Sequence, residues 1–70
     1  MEGVNNMFTI TKSKGKTYKT NDLKNAIHSY TSNKWSLTMY QDNNILLTRI
    51  EFVKIGDQPI WKYLQRQGRI

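Results

Sequence analysis

From Met7 to Lys12, Phe8 and Ile10 alternate with Thr9 and Thr11. A period of two built from aromatic and β-branched residues predicts a half-buried strand. Ser13-Lys14-Gly15-Lys16 then supplies a glycine-bearing turn, and Thr17-Tyr18-Lys19-Thr20 is short and β-prone, so the segment reads as a hairpin. The period changes at Thr20-Asn21-Asp22, three residues suited to starting a helix. Behind them Leu23, Ala26, Ile27 and Tyr30 fall at i, i+3, i+4 and i+7, with Lys24, Asn25, His28 and Ser29 opposite. This spacing predicts a short amphipathic helix over residues 22–31, lying on a sheet. Thr31-Ser32-Asn33 ends it, with Asn33 expected in the left-handed conformation of a C-cap.

Further on, Trp35, Leu37 and Met39 alternate with Ser36, Thr38 and Tyr40, and Asp42-Asn43-Asn44 follows as a turn tolerant of positive φ. The return strand of this second hairpin carries Leu46, Ile50 and Phe52 on one face and Arg49 and Glu51 on the other. Val53 and Ile55 are then apolar on the wrong parity, which a β-bulge near Phe52-Val53 would correct. After Gly56 two readings compete. Asp57 as N-cap, Pro59 in the first turn and Gly68 past the end describe a helix carrying Ile60, Trp61 and Leu64. Alternatively, Gly56-Asp57-Gln58-Pro59 is a hairpin loop and residues 60–66 form a strand, which a small sheet favours. The pattern as a whole predicts an α+β fold, a small antiparallel sheet of four to five strands in two or three hairpins packed against one helix, in the order ββαββ(β).

Composition narrows the class. Seventy residues, 37% hydrophobic and 23% charged, suit one small folded domain over residues 7–70, with residues 1–6 as a poorly ordered leader. A multidomain enzyme is not expected. With no cysteine and a single histidine, neither a disulfide nor a Cys/His zinc site is available, and no metal or cofactor is expected. The longest apolar run is three residues, Ile45 to Leu47, so no membrane span or signal-peptide core is present, and a cytoplasmic protein is expected. Asn, Ile and Lys make up 22 of the 70 residues, a bias typical of AT-rich coding sequence that points to a phage, plasmid or low-GC bacterial source.

Charge adds the candidate chemistry. Eleven Lys and Arg against five Asp and Glu leave a net charge of +6. The acids Asp22, Asp42 and Asp57 sit at a helix start or in turns, Glu51 beside Arg49 reads as the solvent face of a strand, and no paired-carboxylate spacing emerges. His28 on the polar helix face reads as a surface residue, the serines lack an elbow motif, and Gly15 alone does not make a phosphate-cradling loop. No catalytic residues are expected. The cations, however, cluster. Lys12, Lys14, Lys16 and Lys19 surround the first turn with Tyr18 embedded, and no acid lies between Glu2 and Asp22. Lys54, Lys62, Arg66 and Arg69 form a second group near Tyr63 and Trp61. Of the two aromatics, Trp61 is expected in the core and Tyr63 exposed.

These features predict a non-enzymatic module that contacts DNA or RNA phosphates through the lysine hairpin and the C-terminal basic segment. Lysines at a hairpin tip also solubilise it and block edge pairing. The alternative is a phage- or mobile-element-encoded modulator of an acidic host protein. A third reading is a homo-oligomer pairing through a sheet edge or the Ile60–Leu64 segment. No membrane partner is expected.

Overall fold

The computed structural model describes residues 6–70. The expected leader therefore falls, apart from Asn6, outside the described residues. Four strands, β1 (Phe8–Lys12), β2 (Thr17–Thr20), β3 (Ser36–Gln41) and β4 (Asn44–Leu47), form one antiparallel sheet in the order β2-β1-β3-β4. Helix α1 (Leu23–Ser32) joins β2 to β3, and α2 (Arg49–Ile55) and α3 (Ile60–Arg66) follow β4. The α+β class, the four-stranded antiparallel sheet and the first helix are as the sequence predicts. The fifth strand is absent among the described residues, and two further helices take the place of the chain's last strand segments.

β1 and β2 form the expected hairpin, closed by Lys12 N donating to Lys16 O at 2.9 Å, with Gly15 at φ +77° in its turn. β1 lies in the centre of the sheet, with Ile10 opposite both Tyr18 and Met39. In α1, Asp22 caps the first turn by accepting from Lys24 N, and Ala26 and Tyr30 are buried with Leu23 and Ile27 flanking them. Asn33 departs from expectation: its φ of −116° is extended rather than left-handed. Its side chain is used in a local turn, accepting from Trp35 N at 2.9 Å, and that turn feeds the chain directly into β3.

Two bulges reset the side-chain parity of the second hairpin. Thr38 pairs with Thr11 but Ser36 with Lys12, which leaves Leu37 without an opposite residue. Met39 pairs with Leu47 and Tyr40 with Ile45, which does the same for Leu46. The alternation of Trp35, Leu37 and Met39 therefore fails to produce one buried face. Met39 is buried, Leu37 and Trp35 are exposed, and Ser36 and both leucines 46 and 47 turn inward. Asp42 takes the anticipated positive φ of 55° in the β3–β4 turn.

The return strand ends at Leu47. Thr48 accepts from Glu51 N at 3.3 Å while the Glu51 carboxylate accepts from Thr48 N at 3.2 Å, a reciprocal capping box that starts α2. The parity fault at Val53 and Ile55 is thus a change of period and not a bulge near Phe52. Ile55 is buried and Phe52 partly so, and Phe52 meets Tyr30 edge-to-face at 5.1 Å. Residues 60–66 are a helix and not a strand: Ile60 and Leu64 both enter the core, while Lys62, which a strand would place on their face, is exposed beside Trp61. Its end is closed by Gly68 at φ +72°, with Gly68 N donating to Gln65 O and Arg69 N to Leu64 O, the paired bonds of a Schellman motif. Pro59, and not Asp57, occupies the N-cap position of α3.

Phe8, Ile10 and Met39 from the sheet, Leu46 and Leu47, and Ala26, Tyr30, Ile55, Ile60 and Leu64 from the helices make one core. All three helices thus lie on one side of the sheet. Its other side presents Thr9, Thr11, Lys19, Thr38, Tyr40 and Ile45, as the pairing of Thr9 with Lys19 and Tyr40, and of Tyr40 with Ile45, requires. No helix among the described residues is long and apolar enough to cross a membrane.

Candidate nucleic-acid interface

The β1–β2 tip is tied to the α1–β3 connection by Ser13 N donating to Trp35 O at 3.1 Å. That bond carries Lys12, Lys14 and Lys16 alongside Asn33 and Trp35, and together with Ser13 they line an open cavity of about 320 Å³. Trp35 is 53% exposed, and Lys34 Nζ stands 5.2 Å from the centre of its ring. An ammonium at that distance over an indole face is held by cation–π attraction while staying hydrated. No carboxylate lines the cavity. The ion pair seen among the described residues, Glu51 with Arg69, belongs to the other end of the chain. A half-exposed indole with one ammonium over its ring and three lysine side chains sharing its cavity provides a flat apolar face beside positive charge.

The other members of the first predicted cluster are placed differently. Tyr18 packs against the core and is only partly exposed, with Lys12 Nζ 5.9 Å from its ring. Lys19 opposes Thr9 on the sheet face away from the helices. The hairpin thus brings together Lys12, Lys14 and Lys16, separates Lys19 from them, and uses Tyr18 for packing.

The C-terminal group divides in the same way. Lys54, Tyr63 and Arg66 line a separate, shallower cavity of about 220 Å³ between α2 and α3. Lys62 lies over Trp61 at 5.7 Å from its ring centre. Trp61, expected in the core, is 46% exposed, because helical spacing sends Ile60 and Leu64 inward and leaves position 61 on the flank. Arg69 and the Tyr63 hydroxyl are turned to Glu51. Arg69 pairs with its carboxylate at 2.8 Å and also donates to Leu46 O at 3.1 Å, while Tyr63 donates to Glu51 at 2.8 Å. These bonds, with the Arg69 contact foremost, hold the Glu51 carboxyl down at about 2, against the opposing effect of partial burial. Glu51 is therefore the fastener of the C-terminal helices and not the solvent face of a strand. The same bond raises the Tyr63 hydroxyl pKa, and burial pushes that of Tyr30 up to about 12.

Lys34 and Trp35 are the site residues that sequence reasoning missed. Their signal was an aromatic directly after a lysine within a turn, Asn33-Lys34-Trp35, masked by reading Trp35 as part of an alternating strand. Among the described residues no group of His, Cys, Asp and Glu could hold a metal ion. No protein-family model matches the chain, and no curated protein or solved structure matches it either.

Proposed function

We propose that this protein is a non-enzymatic module that binds single-stranded nucleic acid at the β1–β2 tip. Trp35 stacks on an unpaired base, and Lys12, Lys14, Lys16 and Lys34 contact the flanking phosphates. The observation that carries the reading is the half-exposed indole in a cavity whose charged residues are all cationic. Stacking on an aromatic face tolerates any base, so little sequence preference is expected, and an unpaired base is required because a duplex hides its faces. Lys54, Lys62 and Arg66 add to the field that draws a polyanion in, without forming part of the tip.

A titration of end-labelled oligothymidylate and oligouridylate of about 12 nucleotides, followed by fluorescence anisotropy, tests this. Binding is expected to both, with a matched duplex weaker. If four phosphates are neutralised at about 0.7 counterion each, the affinity falls with salt on a logarithmic slope of about −3. No binding at low salt ends the proposal, and preference for the duplex shifts it away from stacking.

A further inference from the structure

A second surface, distinct from the lysine-walled tip, lies between α1 and α3. Leu23 and Ile27, one turn apart on α1, meet the exposed indole of Trp61 on α3, and with the stem of Lys24 they wall an open groove of about 300 Å³. Lys24 is the only polar residue in that wall. Lys62, over the Trp61 ring, adds a second cation at the rim. The nearest acid in sequence, Asp22, is turned to cap α1. The groove shares no lining residue with the tip cavity, and it faces the first half of α1 while the tip lies beyond the helix's last turn.

We propose that this groove docks a short acidic amphipathic segment of a partner protein. One or two of the segment's apolar side chains would fill the space between Leu23, Ile27 and Trp61, and its Asp or Glu residues would meet Lys24 and Lys62. Leu23 and Ile27 are only partly buried and Trp61 is 46% exposed, so covering them gains apolar burial, and tryptophan is enriched among the residues that carry binding energy at interfaces. The charge decides the occupant. A second copy of this chain would bring two +6 molecules together with their lysine pairs opposed, which is electrostatically unfavourable. A nucleic-acid strand would find only one lysine in the wall against three at the tip, and the aliphatic sides of Leu23 and Ile27 suit an apolar side chain better than a polar base. A protein segment with negative charge beside apolar side chains matches both features of the groove.

The inference is independent of nucleic-acid binding, and the test keeps the two apart. In a Trp35→Leu variant of the full chain, Trp61 is the only indole and the tip has lost its stacking ring. Its emission is followed while adding a helical peptide of Leu and Glu with leucines at i, i+3, i+4 and i+7. The same peptide with Lys for Glu, an acidic peptide with Ser for Leu, and oligothymidylate serve as comparisons. A saturable blue shift with the Leu/Glu peptide alone is expected. Adding Lys24→Glu and Lys62→Glu, both at exposed positions, is expected to weaken that peptide by about tenfold or more and to favour the Lys peptide instead. The inference is overturned if the Ser-containing peptide shifts Trp61 equally, if oligothymidylate shifts it more, or if the charge reversal leaves affinity within about twofold. Concentration-dependent emission without any addition, signalling self-association, would overturn it as well.

Discussion

An indole left half in water forgoes on the order of 1 kcal/mol of apolar burial, so the placement of Trp35 beside a row of lysines costs stability that stacking on a base would recover. Replacing it with alanine is expected to weaken single-strand binding by about 1–3 kcal/mol while lowering folding stability far less, and Trp35→Phe is expected to keep most of the affinity. Equal losses in binding and stability, measured by anisotropy and by urea unfolding, would show that the residue serves the fold alone. Ser36 presents the opposite case. Its buried hydroxyl has no partner, so Ser36→Ala should leave stability unchanged or raise it by up to about 1 kcal/mol in the same unfolding assay. Glu51 supplies the residue-level pH dependence. Its carboxyl, at about 2 in the fold against 4.5 ordinarily, contributes stability that is fully present above about pH 4.5 and is lost as pH falls towards 2. Melting temperatures of the native chain and of Glu51→Gln should therefore differ at neutral pH and converge in acid. A constant gap across that range would contradict the role given to the Arg69 and Tyr63 bonds.

At the scale of elements, α2 depends on how it begins. Seven residues are too few for a helix to form unaided, and the reciprocal bonds of Thr48 and Glu51 satisfy backbone donors that would otherwise be left open. Thr48→Ala is expected to cost about 1 kcal/mol, read as a lower urea midpoint with an unchanged slope. The signature of this cap, Thr48-x-x-Glu51, stood in the sequence but was overshadowed by the apolar residues Leu46, Ile50 and Phe52, which continue a strand's even parity. Ile60 and Leu64 were ambiguous for a physical reason: a spacing of four fits one face of a helix and one face of a strand equally well. The hairpins and α1 were legible because each is specified within a few residues, by Gly15, by Asp42, and by the Asp22 cap followed by a full apolar stripe. The bulges at Leu37 and Leu46 were not, since a one-residue offset is set by how β3 fits against β1 and β4. The same limit applied to the site. Lys12, Lys14 and Lys16 belong to one hairpin and lie within five residues of one another, whereas Lys34 and Trp35 reach them only because β1 pairs with β3 across the sheet.

For the molecule as a whole, eight of the eleven Lys and Arg residues fall in two regions of different character. At the tip, Lys12, Lys14 and Lys16 share a cavity with the exposed Trp35, Lys34 stands over its ring, and no acid lines that cavity. Near the C-terminus, Arg69 is committed to Glu51, and Lys54, Lys62 and Arg66 are spread over the flanks of α2 and α3. Ile60 and Leu64, the segment considered for self-pairing, are consumed by the chain's own core. A localised site and a diffuse basic surface respond differently to charge reversal. The measurement that separates them is the anisotropy titration of single-stranded DNA at about 50 mM and 200 mM salt with Lys14→Glu/Lys16→Glu and Lys54→Glu/Arg66→Glu chains, which carry equal net charge. Near-complete loss of binding and a flattened salt slope are expected for the tip pair, and only a modest decrease for the C-terminal pair. Equal losses from the two pairs would contradict a localised site, since binding would then follow net charge and not the site at Trp35.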